Sequence, residues 1–100
     1  MKTANELRNI TIGMREKLNA PAIQWAKEFV ESYSTALERT ALKGFDSITI
    51  TINEETMPVD IRWRYTNKEK QEFVAQEFET YGFTVKRLTD LHLVKVMWEV

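Results

Sequence analysis

One hundred residues, 43% of them apolar, are enough for one hydrophobic core and too few for two. A formal net charge of -1 supplies no general field for nucleic acid or an anionic membrane. The absence of cysteine removes disulfides, thiolate zinc sites and cysteine nucleophiles.

Thr3 followed by Glu6 is a capping-box pattern, and Leu7, Ile10, Met14 and Leu18 then share one face at helical spacing. A first helix over residues 4–18 follows. It is intrinsically weak, because Ile10, Thr11 and Ile12 are β-branched and Gly13 costs about 1 kcal/mol relative to alanine. Residues 1–20 carry two readings: a docking or dimerisation arm that orders on a partner, or a plain helix beside the main one. The main helix is predicted over 21–44. Pro21 suits a first helical turn and Gly44 the left-handed position past a helix end. Ala22, Trp25, Ala26, Phe29, Tyr33, Ala36, Leu37 and Thr40 form its apolar stripe, and Ile23, Val30 and Ala41 widen it toward a second helix.

After Gly44 the period changes to two. Ile48, Ile50 and Ile52 alternate with Thr49 and Thr51, which reads as a half-buried strand. A polar turn over 53–58 leads to Val59, Ile61, Trp63 and Tyr65, alternating with Asp60, Arg62, Arg64 and Thr66. The spacing predicts a second strand paired with the first as an antiparallel hairpin. Asn67 is placed to cap a helix over 68–81, ended by Gly82, with Phe73, Val74, Phe78 and Tyr81 inward. Lys70 and Glu77 fall inside that stripe, where long polar chains snorkel to water. Residues 83–89 and 92–100 make the last hairpin, with Val94, Val96, Trp98 and Val100 on one face. The whole is an α+β fold: one two-layer domain over 1–100, in the order α-α-β-β-α-β-β, its helices on one face of an antiparallel sheet of about four strands.

The catalytic inventory is empty. His92 stands alone, two residues after Asp90, with no nucleophile beside it. No spacing matches a helical zinc motif or an EF-hand, and three glycines in three separate places make no phosphate-cradling loop. A non-enzymatic chain without metal or cofactor is predicted. With no long apolar run, and with amphipathic first residues, it also reads as cytoplasmic with no membrane partner. Charge is sided: Arg62 and Arg64 point outward if Trp63 and Tyr65 point inward, and Lys86 and Lys95 extend the basic group across the sheet. That face could contact phosphates of RNA or DNA, but it lacks an aromatic stacking platform.

Four segments carry a family resemblance: Ala4-x-Glu6-Leu7-Arg8, the helix running into Gly44-Phe45, the junction Gly82-Phe83-Thr84-Val85, and the terminal Val96-Met97-Trp98. With them the whole chain resembles short phage-encoded accessory proteins. The resemblance implies a small α+β protein made in a bacterial host, some of whose relatives redirect a host or phage protein while others are parts of the virion. It carries no catalytic residue. The first expectation is thus a protein-binding role through a sheet edge, the basic face or the amino-terminal helix. Nucleic-acid binding through Arg62, Arg64, Lys86 and Lys95 is the second, and a homo-oligomeric virion or assembly role the third.

Overall fold

The computed structural model describes residues 1–99, so the expectation that the last strand includes Val100 lies outside the described residues. Thr3 caps α1 (Ala4–Glu31), its hydroxyl accepting from the Glu6 N–H at 3.2 Å. The sequence predicts a stop near residue 18 and a restart at Pro21; the chain instead runs through both as one 28-residue helix. Pro21 forfeits the bond that an N–H would give to the Lys17 carbonyl. That loss is tolerated because Lys17, Ala20 and Pro21 are all exposed, leaving the freed carbonyl open to water.

The expected continuous helix over 21–44 is broken at Ser32 and Tyr33. Ser32 Oγ donates to the Phe29 carbonyl and Ser34 Oγ to that of Glu31, side-chain bonds that compete with helix propagation. The chain turns there and resumes as α2 (Ser34–Leu42). Gly44, at φ +88, closes it in the left-handed conformation, and the Phe45 N–H returns to the Thr40 carbonyl. Gly82 repeats this device at φ +89, with the Phe83 N–H returning to Phe78.

The strands are β1 (Ser47–Thr51), β2 (Thr84–Arg87) and β3 (Leu93–Met97), in the antiparallel order β1-β3-β2. The α+β class and the last hairpin hold; the fourth strand does not. Residues 59–66 form a short helix, α3 (Val59–Arg62), and a turn. Alternation misleads in this segment because it contains a second period. Met57 and Ile61 are buried and Tyr65 half-buried, at helical spacing of four, whereas Val59 is exposed and Trp63 is 84% exposed. Local bonds fix the turn: Arg62 Nη2 donates to the carbonyls of Glu55 and Met57 at 2.8 and 2.9 Å. With no partner strand beside it, β1 pairs with β3, setting Ile50 opposite Val94 and Ile48 opposite Val96.

Helix α4 (Asn67–Thr80) is capped by Thr66 rather than Asn67, through a reciprocal capping box with Glu69. It lies on β2 and β3, α2 lies on β1, and α1 packs along α4. One core joins Ala22, Trp25, Ala26, Phe29 and Val30 of α1 to Ile50, Val74, Phe78, Val85, Val94 and Val96. The predicted contact of the main helix with a second helix is therefore present on the flank where Ile23 and Val30 sit.

Three ion pairs among the described residues tie α4 to its neighbours. Arg87 grips Glu72 through Nε and Nη2 at 2.7 and 2.9 Å and reaches Glu79 at 2.6 Å, while the buried Lys70 meets Glu54 at 3.0 Å. The Arg87 guanidinium holds the Glu72 carboxyl below the ordinary carboxylate range, and the Lys70 ammonium does the same for Glu54. A depressed folded-state pKa gives stability that is complete above the unfolded pKa and is lost as pH falls through the folded one. Urea midpoints should therefore fall on acidification below about pH 4. Arg87→Gln should flatten part of that slope; an unchanged slope in the variant would show that the clamp contributes nothing.

Candidate functional site

The four basic residues expected on one sheet face are not brought together. Lys86 and Lys95 are direct cross-strand partners on the face turned away from the helices, in a row with Thr49. Arg62 and Arg64 are absent from the sheet, since their segment is helix and turn, and the Arg62 guanidinium is occupied by backbone carbonyls. Trp63 stands in solvent rather than in the core. What remains of the basic face is a two-lysine row. Like charges directly opposite one another repel, and such a row is a far smaller footprint than four cations.

Asp90 does not orient His92 through its ring. Its carboxylate accepts from the His92 backbone N–H at 3.0 Å, closing the turn into β3, and the His92 carbonyl accepts from the Ile52 N–H. Among the described residues no group of three histidine, aspartate or glutamate side chains is placed to hold a metal ion, and no helix is long and apolar enough to cross a membrane. A cleft of about 320 Å³ lies between the end of α1, the start of α2 and the end of α4. Val30, Leu37, Tyr81 and Phe83 line it, and the Tyr81 hydroxyl donates to Glu31 at 2.8 Å across its mouth. That carboxylate pushes the phenol above its ordinary range. The lining is apolar apart from Glu31, Ser34 and the Tyr81 hydroxyl, and none of these is paired with a base.

The feature that dominates the shape of the molecule is the amino-terminal half of α1. Residues 1–18 are all exposed, and the helix meets the body at the Tyr65 hydroxyl, which lies 3.4 Å from the Leu18 carbonyl and donates to Asn19 Oδ1 at 3.0 Å. The result is an arm, and the molecule measures 60 × 31 × 23 Å. The expectation of a plain helix packed beside the main one is overturned: the arm is the main helix continued outward. Leu7, Ile10, Met14 and Leu18 are between 46% and 60% exposed and lie in line with the buried Ala22, Trp25 and Phe29. One apolar stripe thus runs the length of α1, covered at one end and bare at the other.

No protein-family model, curated protein or solved structure matches this chain. The surfaces of the molecule itself must therefore carry any functional reading.

Beside the arm, α1 and α4 form a shallow elongated groove in two adjoining parts of about 200 and 230 Å³. Ile23, Ala26 and Phe73 make its floor, and Glu69, Glu72 and Glu77 its rim. Glu72 belongs to the Arg87 clamp and Glu69 to the capping box. Glu77, 9% exposed, makes no side-chain hydrogen bond or ion pair among the described residues. Its angular position on the helix was legible in the sequence. That it would face a groove shared with α1 was not.

Proposed function

We propose that this chain is a small, non-enzymatic interaction protein of the phage accessory type, acting in the host cytoplasm by docking its amino-terminal arm onto another polypeptide. The observation that carries the reading is the bare continuation of the core stripe: the side chains of Leu7, Ile10, Met14 and Leu18 are about half exposed, and of these residues it is the Leu18 carbonyl, accepting from the Tyr65 hydroxyl at 3.4 Å, that meets the body. An isolated helix of this length is marginal in water, and the β-branched run and Gly13 weaken it further. The arm is held helical by its junction with the packed half of α1 and gains most from a partner that removes the stripe from water. Covering four half-exposed side chains is worth roughly 1 kcal/mol each. The mode is that of an amphipathic helix laid into an apolar groove, read through anchors three and four residues apart.

The test is capture under native conditions with the intact protein as bait, beside a bait carrying Leu7→Asp and Met14→Asp. Both positions lie outside the core, so the body of the variant stays folded. The expected result is a stoichiometric polypeptide retained by the first bait and lost from the second. Retention indifferent to the arm substitutions would overturn the reading, as would an enzymatic activity that survives them.

A further inference from the structure

We infer that the arm of each copy docks into the α1–α4 groove of a second copy, forming a two-fold dimer. This inference rests on the reading of the arm as a docking element and names its occupant. Charge is the first ground. In residues 1–20, Lys2, Arg8, Arg15 and Lys17 stand against Glu6 and Glu16, a net +2, so the remaining residues carry -3 of the chain total of -1. Around the helix, Arg8 and Arg15 border the apolar stripe on one side, while Lys17 shares the other border with Glu6, so the basic side is that of the two arginines. The groove is the complement, with an apolar floor of Ile23, Ala26 and Phe73 and a rim of glutamates.

Glu77 is the second and independent ground. The residue is 9% exposed, yet its oxygens are not among the buried unpartnered atoms and no cation pairs with it among the described residues, so its carboxylate reaches the groove and presents an uncompensated negative charge where a basic helix would lie. Dimension is the third. The stripe from Leu7 to Leu18 spans about 16 Å at 1.5 Å per residue, as does the groove wall from Glu69 to Thr80. The 320 Å³ cleft near Tyr81 carries one glutamate, Glu31, where the groove carries Glu69, Glu72 and Glu77, and so offers a basic helix less charge.

Pairing the arms with each other is the weaker arrangement. Side by side and antiparallel, it would set Arg8 of one copy near Arg15 of the other, and it would bury the stripe only against itself. Exchange of arms between grooves covers both stripes and both groove floors, moving the contact toward the roughly 1,200–2,000 Å² of a stable interface. It also closes on itself, as a two-fold contact must.

The test is sedimentation equilibrium of the full chain from about 1 to about 200 μM. The native protein should pass from monomer to dimer across that range. Met14→Asp on the arm should raise the dissociation constant at least about tenfold, by setting a carboxylate against the apolar floor. Gln76→Arg on the exposed groove wall and Arg15→Glu on the arm should each weaken the dimer, and an equimolar mixture of those two variants should recover it, because each supplies the surface the other needs. A native protein monomeric throughout would overturn the inference, and so would a dimer indifferent to Gln76→Arg. If the native chain stays monomeric while capture of another polypeptide still depends on Leu7 and Met14, the second copy is excluded and the docking arm stands.

Discussion

Trp25→Ala should remove about 3–5 kcal/mol of folding stability, the range for truncating a large buried aromatic. Trp25 is 3% exposed, its ring lies 5.7 Å from that of Phe29, and its indole N–H donates to Thr56 Oγ1 at 2.7 Å. Phe29 in turn meets Tyr33 in a tilted ring contact at 5.2 Å. One side chain thus seats the packed half of α1 on the turn after β1 and anchors an aromatic row along the helix. A domain of this length has about 5–15 kcal/mol in total, so the variant should be close to unfolding at ambient temperature. Urea denaturation followed by far-ultraviolet dichroism measures the loss. Thr56→Val, which removes the indole's acceptor together with the hydroxyl's own bond to the Asn53 carbonyl, should cost about 1–2 kcal/mol. A loss below about 1 kcal/mol for Trp25→Ala would mean that α1 is not held to the body in this way.

Gln71→Glu should cost about 3–5 kcal/mol at neutral pH, although only one atom differs in identity. Gln71 is buried, and its Nε2 donates to the carbonyls of Leu88 and Leu93 at 3.0 and 2.9 Å, with Asp90 O at 3.4 Å. This amide is the pin between α4 and the turn that joins β2 to β3. A carboxylate in its place would face acceptors with acceptors, buried and without a cation. The introduced carboxyl would have a folded-state pKa raised above its unfolded value. The deficit of the variant relative to the native protein should therefore be smallest below about pH 4, where a protonated carboxyl donates one bond, and should grow as pH rises. The trend from Glu72 and Glu54 is common to both proteins and cancels in the difference. Urea midpoints at acid and neutral pH for both proteins would show the gap between them widening with pH. A gap that does not change with pH would disprove the pin.

Both substitutions act at contacts between residues distant in the chain, and this is where sequence and structure part. Cap and stop signals were legible because they depend on neighbours within a single turn: Thr3 with Glu6, Gly44, and Gly82. The inward faces of β1 and β3 were legible because alternation in Ile48, Ile50 and Ile52, and again in Val94 and Val96, admits one buried side. The helical face with Val74 and Phe78 was read in the same way. Lys70 and Glu77 also fall where the helical angle puts them.

Other features needed the assembled molecule. Residues 57–65 satisfy periods of two and of four together. The choice between strand and helix fell to whether Trp63 or only Met57, Ile61 and Tyr65 could reach the core. Pro21 marks a helix start in most contexts and failed to do so because its freed carbonyl partner lies in water. Whether Leu7 to Leu18 would be covered could not be read from the stripe itself. Helical periodicity fixes which side of a helix is apolar, while the position of the body decides how far along that side the cover extends. By itself the sequence determined the helical faces, the glycine stops and the lack of a catalytic motif. The tertiary arrangement alone decided that the cover ends near Asn19, because burial depends on which segments meet in space and not on the pattern within one of them.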